Sequence, residues 1–170
     1  TNTKAEAVAH FEKSKIHYLA LSDSAKQFEK VTVMCAVPFK NQWHIPAKDS
    51  YVYQLIADAN GICLGSSENV QVSNSLNLEE AFVSFSSADI WLANGSLENE
   101  AEMKEAVPFY DRLKATQNQK VFNYHNWKQN GNYEFWESGV LHPDWILEDY
   151  INLFHHNKTE GIFYKSIYAE

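Results

Sequence analysis

The sequence contains no run of apolar residues approaching the ~18 that a membrane-crossing helix needs, which excludes a helical membrane span. It has no CxxC pair and no glycine-rich phosphate loop, so it carries neither a redox or zinc-knuckle signature nor a nucleotide cradle. Basic residues are in deficit. Fourteen Lys and Arg stand against 22 Asp and Glu, and the formal charge of −8 argues against nucleic acid as a partner. There are two cysteines in 170 residues, Cys35 and Cys63, too few for a disulfide framework. Each sits in an apolar, strand-like run and reads as a buried free thiol, with a disulfide between neighbouring strands as the alternative. No signal peptide and no strand precede the first helical segment. An α/β chain rarely opens inside a long surface helix, so we expect a further segment upstream.

What is present in excess is aromatic: 14% of the residues are Phe, Trp or Tyr, within an ordinary background of 45% hydrophobic and 21% charged residues. They concentrate in one unlikely place. The stretch NYHNWKQNGNYEFWESGVLHPDW, residues 123–145, holds six aromatics and two histidines in a segment whose Asn, Gln and Gly predict a loop. Loops run over the surface, whereas aromatic side chains are usually covered. The fold or a ligand has to cover Tyr124, Trp127, Tyr133, Phe135 and Trp136.

The length suits one domain with a sizeable core. A helix is predicted from the first residues to about Lys30, with Val8, Phe11, Tyr18 and Leu19 near helical spacing. Short apolar runs then alternate with helical segments. Strands are expected at 31–37, 62–65, 89–93 and 120–124, with a last extended segment at 161–168. Helices are expected at 50–61, 77–88, 98–116 (interrupted at Pro108) and 142–156. Asn60-Gly61 can end the first of these, Asn77 and Glu80 have the spacing of a capping box, and Pro143 suits a first helical turn. This alternation predicts a three-layer α/β sandwich with a mostly parallel, Rossmann-like sheet. In such sheets ligands bind beyond the carboxyl ends of the strands. The segments after 31–37, 89–93 and 120–124 share that edge, and two of them carry Trp beside polar groups, as in a cleft for a large, partly apolar ligand.

Three pieces carry a family resemblance: VPFKNQWHIPAKDSYVYQLIADA, LNLEEAFVSFSSADIWLANG and YEFWESGVLHPDWILEDYINLFHH. The most specific motif comprises Trp136, Glu137, Ser138, Gly139, Val140, Pro143, Asp144, Leu147 and Asp149. From about Lys30 onward the chain resembles the C-terminal lobe of ABC-transporter substrate-binding proteins. The class is the one with a rigid interlobe helix, which carries iron–siderophore complexes, haem or cobalamin. The resemblance implies that residues 1–30 are the C-terminal part of the interlobe helix and 31–170 one α/β lobe of a two-lobe binding protein. It further implies a missing N-terminal lobe, a lipid anchor on the full-length protein, a periplasmic or cell-surface location, and ABC permease subunits as partners. No cofactor and no catalysis are implied. Ala47 and Lys48 depart from the family, which usually has a Gly-Gly pair there, and the glycine-rich stretch before the aromatic motif shrinks to QNGN.

Trp43, His44, Trp127, Tyr133 and Trp136 are the candidate ligand-binding residues. Trp43 and Trp127 are read as stacking walls, and Trp136 also has a core reading where the loop rejoins the body. Glu80, or Glu79 beside it, resembles the acidic residue that docks on permease arginines; the competing reading of Glu80 is the capping box. His125, His142, Glu137 and Asp144 match no standard metal spacing and read as loop and cap residues. Ser138, His142 and Asp144 lack the G-x-S-x-G elbow that holds a hydrolase serine. His155 and His156 sit where a protonated imidazole suits a helix end. Two other classes remain open: a small α/β enzyme with an aromatic substrate pocket, and a protein-interaction domain.

Overall fold

The computed structural model describes residues 2–66 and 74–169. In chain order the helices are α1 (Asn2–Ala25), α2 (Tyr51–Asp58), α3 (Leu78–Phe85), α4 (Glu100–Ala106), α5 (Lys114–Gln117), α6 (Ser138–Leu141) and α7 (Pro143–His155). The strands are β1 (Val31–Cys35), β2 (Gln42–Ile45), β3 (Gly61–Cys63), β4 (Asn74–Asn77), β5 (Ile90–Leu92), β6 (Val121–Asn123), β7 (Lys128–Gln129), β8 (Asn132–Tyr133) and β9 (Lys165–Ser166).

The core sheet has the order β3-β1-β5-β6-β9, parallel except where β9 runs against β6. All four parallel strands were expected from their apolar runs. Every residue of β5 and β6 is buried, as it must be when helices cover both faces. The chain steps from β1 to one side and then crosses to the other, so right-handed crossovers put α2 on one face and α3 to α5 on the opposite one. Helices α1 and α7 pack together on the α2 side. The architecture is the expected three-layer α/β sandwich.

Local chemistry sets the boundaries. Ser50 accepts a hydrogen bond from the Tyr53 amide to start α2, and Asn60, at φ 59°, turns the chain out of it. Asn99 caps α4, which ends before Pro108, the expected interruption; beyond it a 3₁₀ turn (Tyr110–Arg112) and the short α5 make up the rest of 98–116. Helix α1 stops at Ala25 and not near Lys30, and its residues 4–13 are all exposed. Two antiparallel ribbons were not anticipated: β7 pairs with β8, and β2 pairs with β4, Trp43 opposite Leu76, turning the supposed ligand loop after β1 into a ribbon.

One side chain gathers three amides of the C-terminal segment. Asp149, on the buried face of α7, accepts hydrogen bonds from the amides of Ile162 (2.6 Å), Phe163 (2.7 Å) and Tyr164 (3.1 Å). Gly161 passes so close that a Cβ there would lie 2.0 Å from the Asp149 Oδ1. Burial pushes the Asp149 carboxyl up to about 6, against the opposing pull of the three amides.

Two outcomes follow. The folded state binds the Asp149 proton more tightly than the unfolded chain, so this group's stabilisation is complete below about pH 4 and is lost as pH rises through about 6. Subtracting the denaturation curves of Asp149→Asn from those of the native chain at each pH should expose a change of about 3 kcal/mol across that window. Gly161→Ala should cost about 1–3 kcal/mol through overpacking, read from the same urea midpoints. A neutral substitution would mean that the Asp149 loop yields freely.

Candidate functional site

The carboxyl ends of β1, β5 and β6 open onto one edge, as parallel pairing requires, and β9 returns antiparallel so that residues 161–164 lie there too. Asn123 ends β6 and organises this edge. Its amide donates to the carbonyls of Gly95 (3.0 Å) and Leu97 (2.8 Å), and its oxygen accepts from the Tyr124 amide (2.9 Å). The loop after β5 is thereby tied to the start of the aromatic stretch.

Beyond Asn123 the aromatics divide into a floor and a shelf. Tyr124 and Phe135 are buried and stacked, ring centres 5.0 Å apart at 16°. Trp136 packs edge-on against both, at 5.5 and 4.9 Å, yet remains 60% exposed. Tyr133 lies on the other flank of Tyr124 and stacks on His125 at 4.4 Å. Its hydroxyl donates to Glu98 in a short hydrogen bond, and the Lys128 ammonium sits 4.9 Å from its ring centre. Trp127 is half-buried and stacked on Phe163 at 5.8 Å. The hairpin of β7 and β8 sets Tyr133 in place, and its two-residue turn uses Asn130 (φ 51°) and Gly131 (φ 88°) as a tight hairpin demands.

The electrostatics are local. The Tyr133 hydroxyl holds the Glu98 carboxyl below the usual range, and the same bond pushes Tyr133 up to about 12, so both keep their states at neutral pH. Burial lowers His125, whose two ring nitrogens are hidden from solvent without a well-formed hydrogen bond. A neutral imidazole beneath Tyr133 results. The edge is an apolar, π-rich shelf with Glu98, Lys128 and Lys165 around it. It can stack a flat or ringed ligand and offer a few charges at its rim.

Three of the residues expected to bind ligand fall on this shelf: Trp127, Tyr133 and Trp136. Trp136 reverses its core reading, because Phe135 takes the inward position. Trp43 is a correction. Its side chain is fully buried, its indole donates to the Cys35 carbonyl at 2.6 Å, and its ring neighbours are Phe85, Trp91 and Phe109. The cause is the two-residue period of β2, which turns Trp43 and Ile45 inward and leaves Gln42 and His44 on the outer face of the ribbon. His44 is exposed there, away from the aromatic stretch. Glu80 closes the capping box: its carboxylate accepts from the Asn77 amide at 3.0 Å while Asn77 accepts from Glu80. Of the two readings of Glu80, the geometry shows the capping box. Glu79 is exposed, and its carboxylate has no partner among the described residues.

Sequence reasoning missed Glu98 and Phe39. Phe39 is exposed at a two-residue turn after β1, where Lys40 and Asn41 have φ of 50° and 61°. The alternation in Gln42–Ile45 is the signal that could have revealed the ribbon.

Ser138, His142 and Asp144 form no triad, in line with the missing elbow. The Ser138 hydroxyl donates to Glu134, His142 stacks on Trp145, and Asp144 is engaged by Ser14 and by His17 Nδ1 at 2.9 Å. Among the described residues no group of three or more His, Cys, Asp or Glu is placed to share a metal ion. His155 is bonded to the Ala59 carbonyl at 2.8 Å and stacked on Phe28. Two concavities, of about 740 and 690 Å³, flank α1 and not the shelf. Both are open grooves, and the second runs beside exposed Phe11, Leu19, Val140 and Leu141.

No family profile matches the sequence, and no curated protein matches it either. Solved structures do. An ABC transporter substrate-binding protein from Listeria monocytogenes shares 16% identity over 90% of this chain and 58% of its own, with a TM-score of 0.60. A possible iron-binding, periplasmic solute-binding protein from Staphylococcus epidermidis shares 16% over 91% and 57%, with a TM-score of 0.64. The siderophore periplasmic binding protein of the Thermobifida fusca fuscachelin cluster shares 12% over 84% and 54%, at 0.56. The chain thus has the fold of one part of these proteins and spans little more than half their length.

Exposure separates floor from shelf in a testable way. Phe135→Ala should cost about 3–5 kcal/mol of stability, as for a buried aromatic. Trp136→Ala, which removes a mostly exposed ring, should cost less than about 1 kcal/mol. Chemical denaturation of the two variants checks this, and equal costs would put Trp136 in the core after all.

Proposed function

We propose that the chain is the C-terminal lobe of a two-lobe solute-binding protein that serves an ABC importer. It captures an iron complex, as a ferric siderophore or haem, or a corrinoid. What carries the reading is the match of nearly all of this chain to little more than half of several solute-binding proteins, combined with an aromatic shelf at the strand ends. A second lobe closing over the shelf would bury Trp136 and complete the stacking surface. The exposed apolar residues of α1, Val8, Phe11, Ile16 and Leu19, support the same reading, since this helix projects past the lobe it is attached to. The proposed mechanism is capture and hand-over, without chemical change to the ligand, outside the cytoplasmic membrane and on a lipid-anchored full-length protein.

Docking on the permease is assigned primarily to Glu79, with Glu80 holding the start of α3 as its cap. An exposed carboxylate at a helix N-terminus is available to an incoming arginine, whereas the Glu80 carboxylate would first have to leave the Asn77 amide.

Half a cleft keeps most of the entropic cost of capture but loses half the contacts. Titration of this chain with ferric haem, cobalamin and ferric siderophores, followed by tryptophan fluorescence, should therefore show weak binding. A form that includes the second lobe should bind one of them at least ~100-fold more tightly. Tight binding to this chain alone would overturn the two-lobe reading. In the full protein, Glu79→Ala should reduce transport and leave ligand affinity unchanged, while Glu80→Ala should chiefly lower the melting temperature, by the ~1 kcal/mol of a lost cap. Unimpaired transport in Glu79→Ala would remove the docking role from that residue.

A further inference from the structure

Cys35 ends β1, and Cys63 ends β3, the strand at the free edge of the sheet. Both are free thiols, and their sulfurs are 3.7 Å apart, in contact. The register pairs Cys63 with Val33 and not with Cys35, so the two cysteines are diagonal neighbours on one face. Diagonal neighbours have Cα atoms roughly 7–8 Å apart, beyond the span of a relaxed disulfide. Each strand breaks immediately afterwards, with Ala36 at φ 67° and Gly65 at φ 75°. The Ala36 amide is still bonded to the Leu92 carbonyl (2.9 Å) and the Leu64 amide to the Val33 carbonyl (2.8 Å), so both ends stay tied to the sheet and closure has to pull against those bonds.

We propose that Cys35 and Cys63 are a reversible dithiol–disulfide pair, closed by exchange with a low-molecular-weight disulfide that Cys63 attacks first. Both are buried, but Cys63 is the less buried member, 8% exposed on an edge strand against 1% for Cys35 behind it. The Cys35 thiol beside it also favours the Cys63 thiolate, lowering that group while Cys35 is raised. A less buried, more acidic thiol in contact with a fully buried partner gives exchange its order of attack. The Cys63 thiolate forms a bond to one sulfur of the disulfide RSSR; its S–S bond breaks and one thiolate leaves. Cys35 then gives up its proton and attacks the Cys63 sulfur, expelling the second thiolate. The two cysteines lose two electrons and two protons, and RSSR takes them up as two RSH. The diagonal register makes the product strained and so readily reduced, a switch and not a permanent staple. Closing it would join the turn after β1 to the segment leaving β3, at the edge that carries the candidate site.

The reduced chain is incubated with oxidised glutathione, quenched in acid, unfolded and alkylated, and its intact mass is measured. Two alkyl groups should be found before oxidation and none after, with two hydrogens lost and no glutathione retained. Excess reduced glutathione should then restore both thiols. Cys35→Ser should stop at a glutathione adduct on Cys63, while Cys63→Ser should react at least ~10-fold more slowly. Two alkylatable thiols persisting in the native chain, arrest at the mixed disulfide, or a disulfide that survives excess reduced glutathione would each overturn the proposal. An adduct on Cys63→Ser but not on Cys35→Ser would overturn the assigned order of attack. The native-chain measurements decide the pair whether or not the serine variants fold.

Discussion

The carboxylate of Asp149 gathers three consecutive backbone amides at the turn into β9, and much of the molecule's C-terminal half depends on that grip. Phe163 and Tyr164 are carried on the gripped segment. Phe163 supports Trp127 and Trp145, and Tyr164 meets Phe135 edge-on. The Tyr164 hydroxyl in turn donates to Asn94 at 2.7 Å, tying the same segment to the loop after β5. A buried charge is costly, and three amides only partly offset its desolvation. The geometry is retained because no apolar side chain could satisfy three otherwise orphaned donors.

Asn123 does the corresponding work at the end of β6. A buried Asn with its donors and acceptor all committed behaves as a rivet: it fixes the loop 94–98 against the aromatic stretch, which brings Glu98 to Tyr133. Tyr133 is thereby held on His125. The shelf is built from side chains whose orientation is set by neighbours on three separate chain segments. Such positioning suits a binding surface that must meet a rigid ligand without reordering itself.

Helix α1 shows a different balance. Its C-terminal half is anchored by Ala25 and Leu21 and by the bonds of Ser14 and His17 to Asp144 at the start of α7, while residues 4–13 are all exposed, with His10 edge-on to His142 at 4.7 Å. An isolated helix of that length is marginal in water, and four large apolar side chains on its surface are a liability unless something covers them. The two-lobe reading provides the cover, and it accounts for the concavities lying beside α1 and not above the strands.

The alternation of core strands and helices, the parallel core, the capping box of Asn77 and Glu80, and the end of α2 at Asn60 were legible from residue pattern, because each rests on chemistry within a few residues. The motif around Trp136 and Asp149 pointed to the right architecture through resemblance. Which aromatic faces solvent was not legible. Trp43 and Trp136 look alike in the chain, each beside polar neighbours after a strand. Trp43 is drawn inward because β4, more than thirty positions away in sequence, pairs with its strand and fixes which side alternates to the core. Trp136 is turned outward because Phe135 takes the space against Tyr124 and Tyr164. The diagonal meeting of Cys35 and Cys63 has the same origin, since it depends on the register between two strands. Local sequence decides what a segment becomes; register and competition for buried volume are settled between segments, and only the assembled sheet contains them.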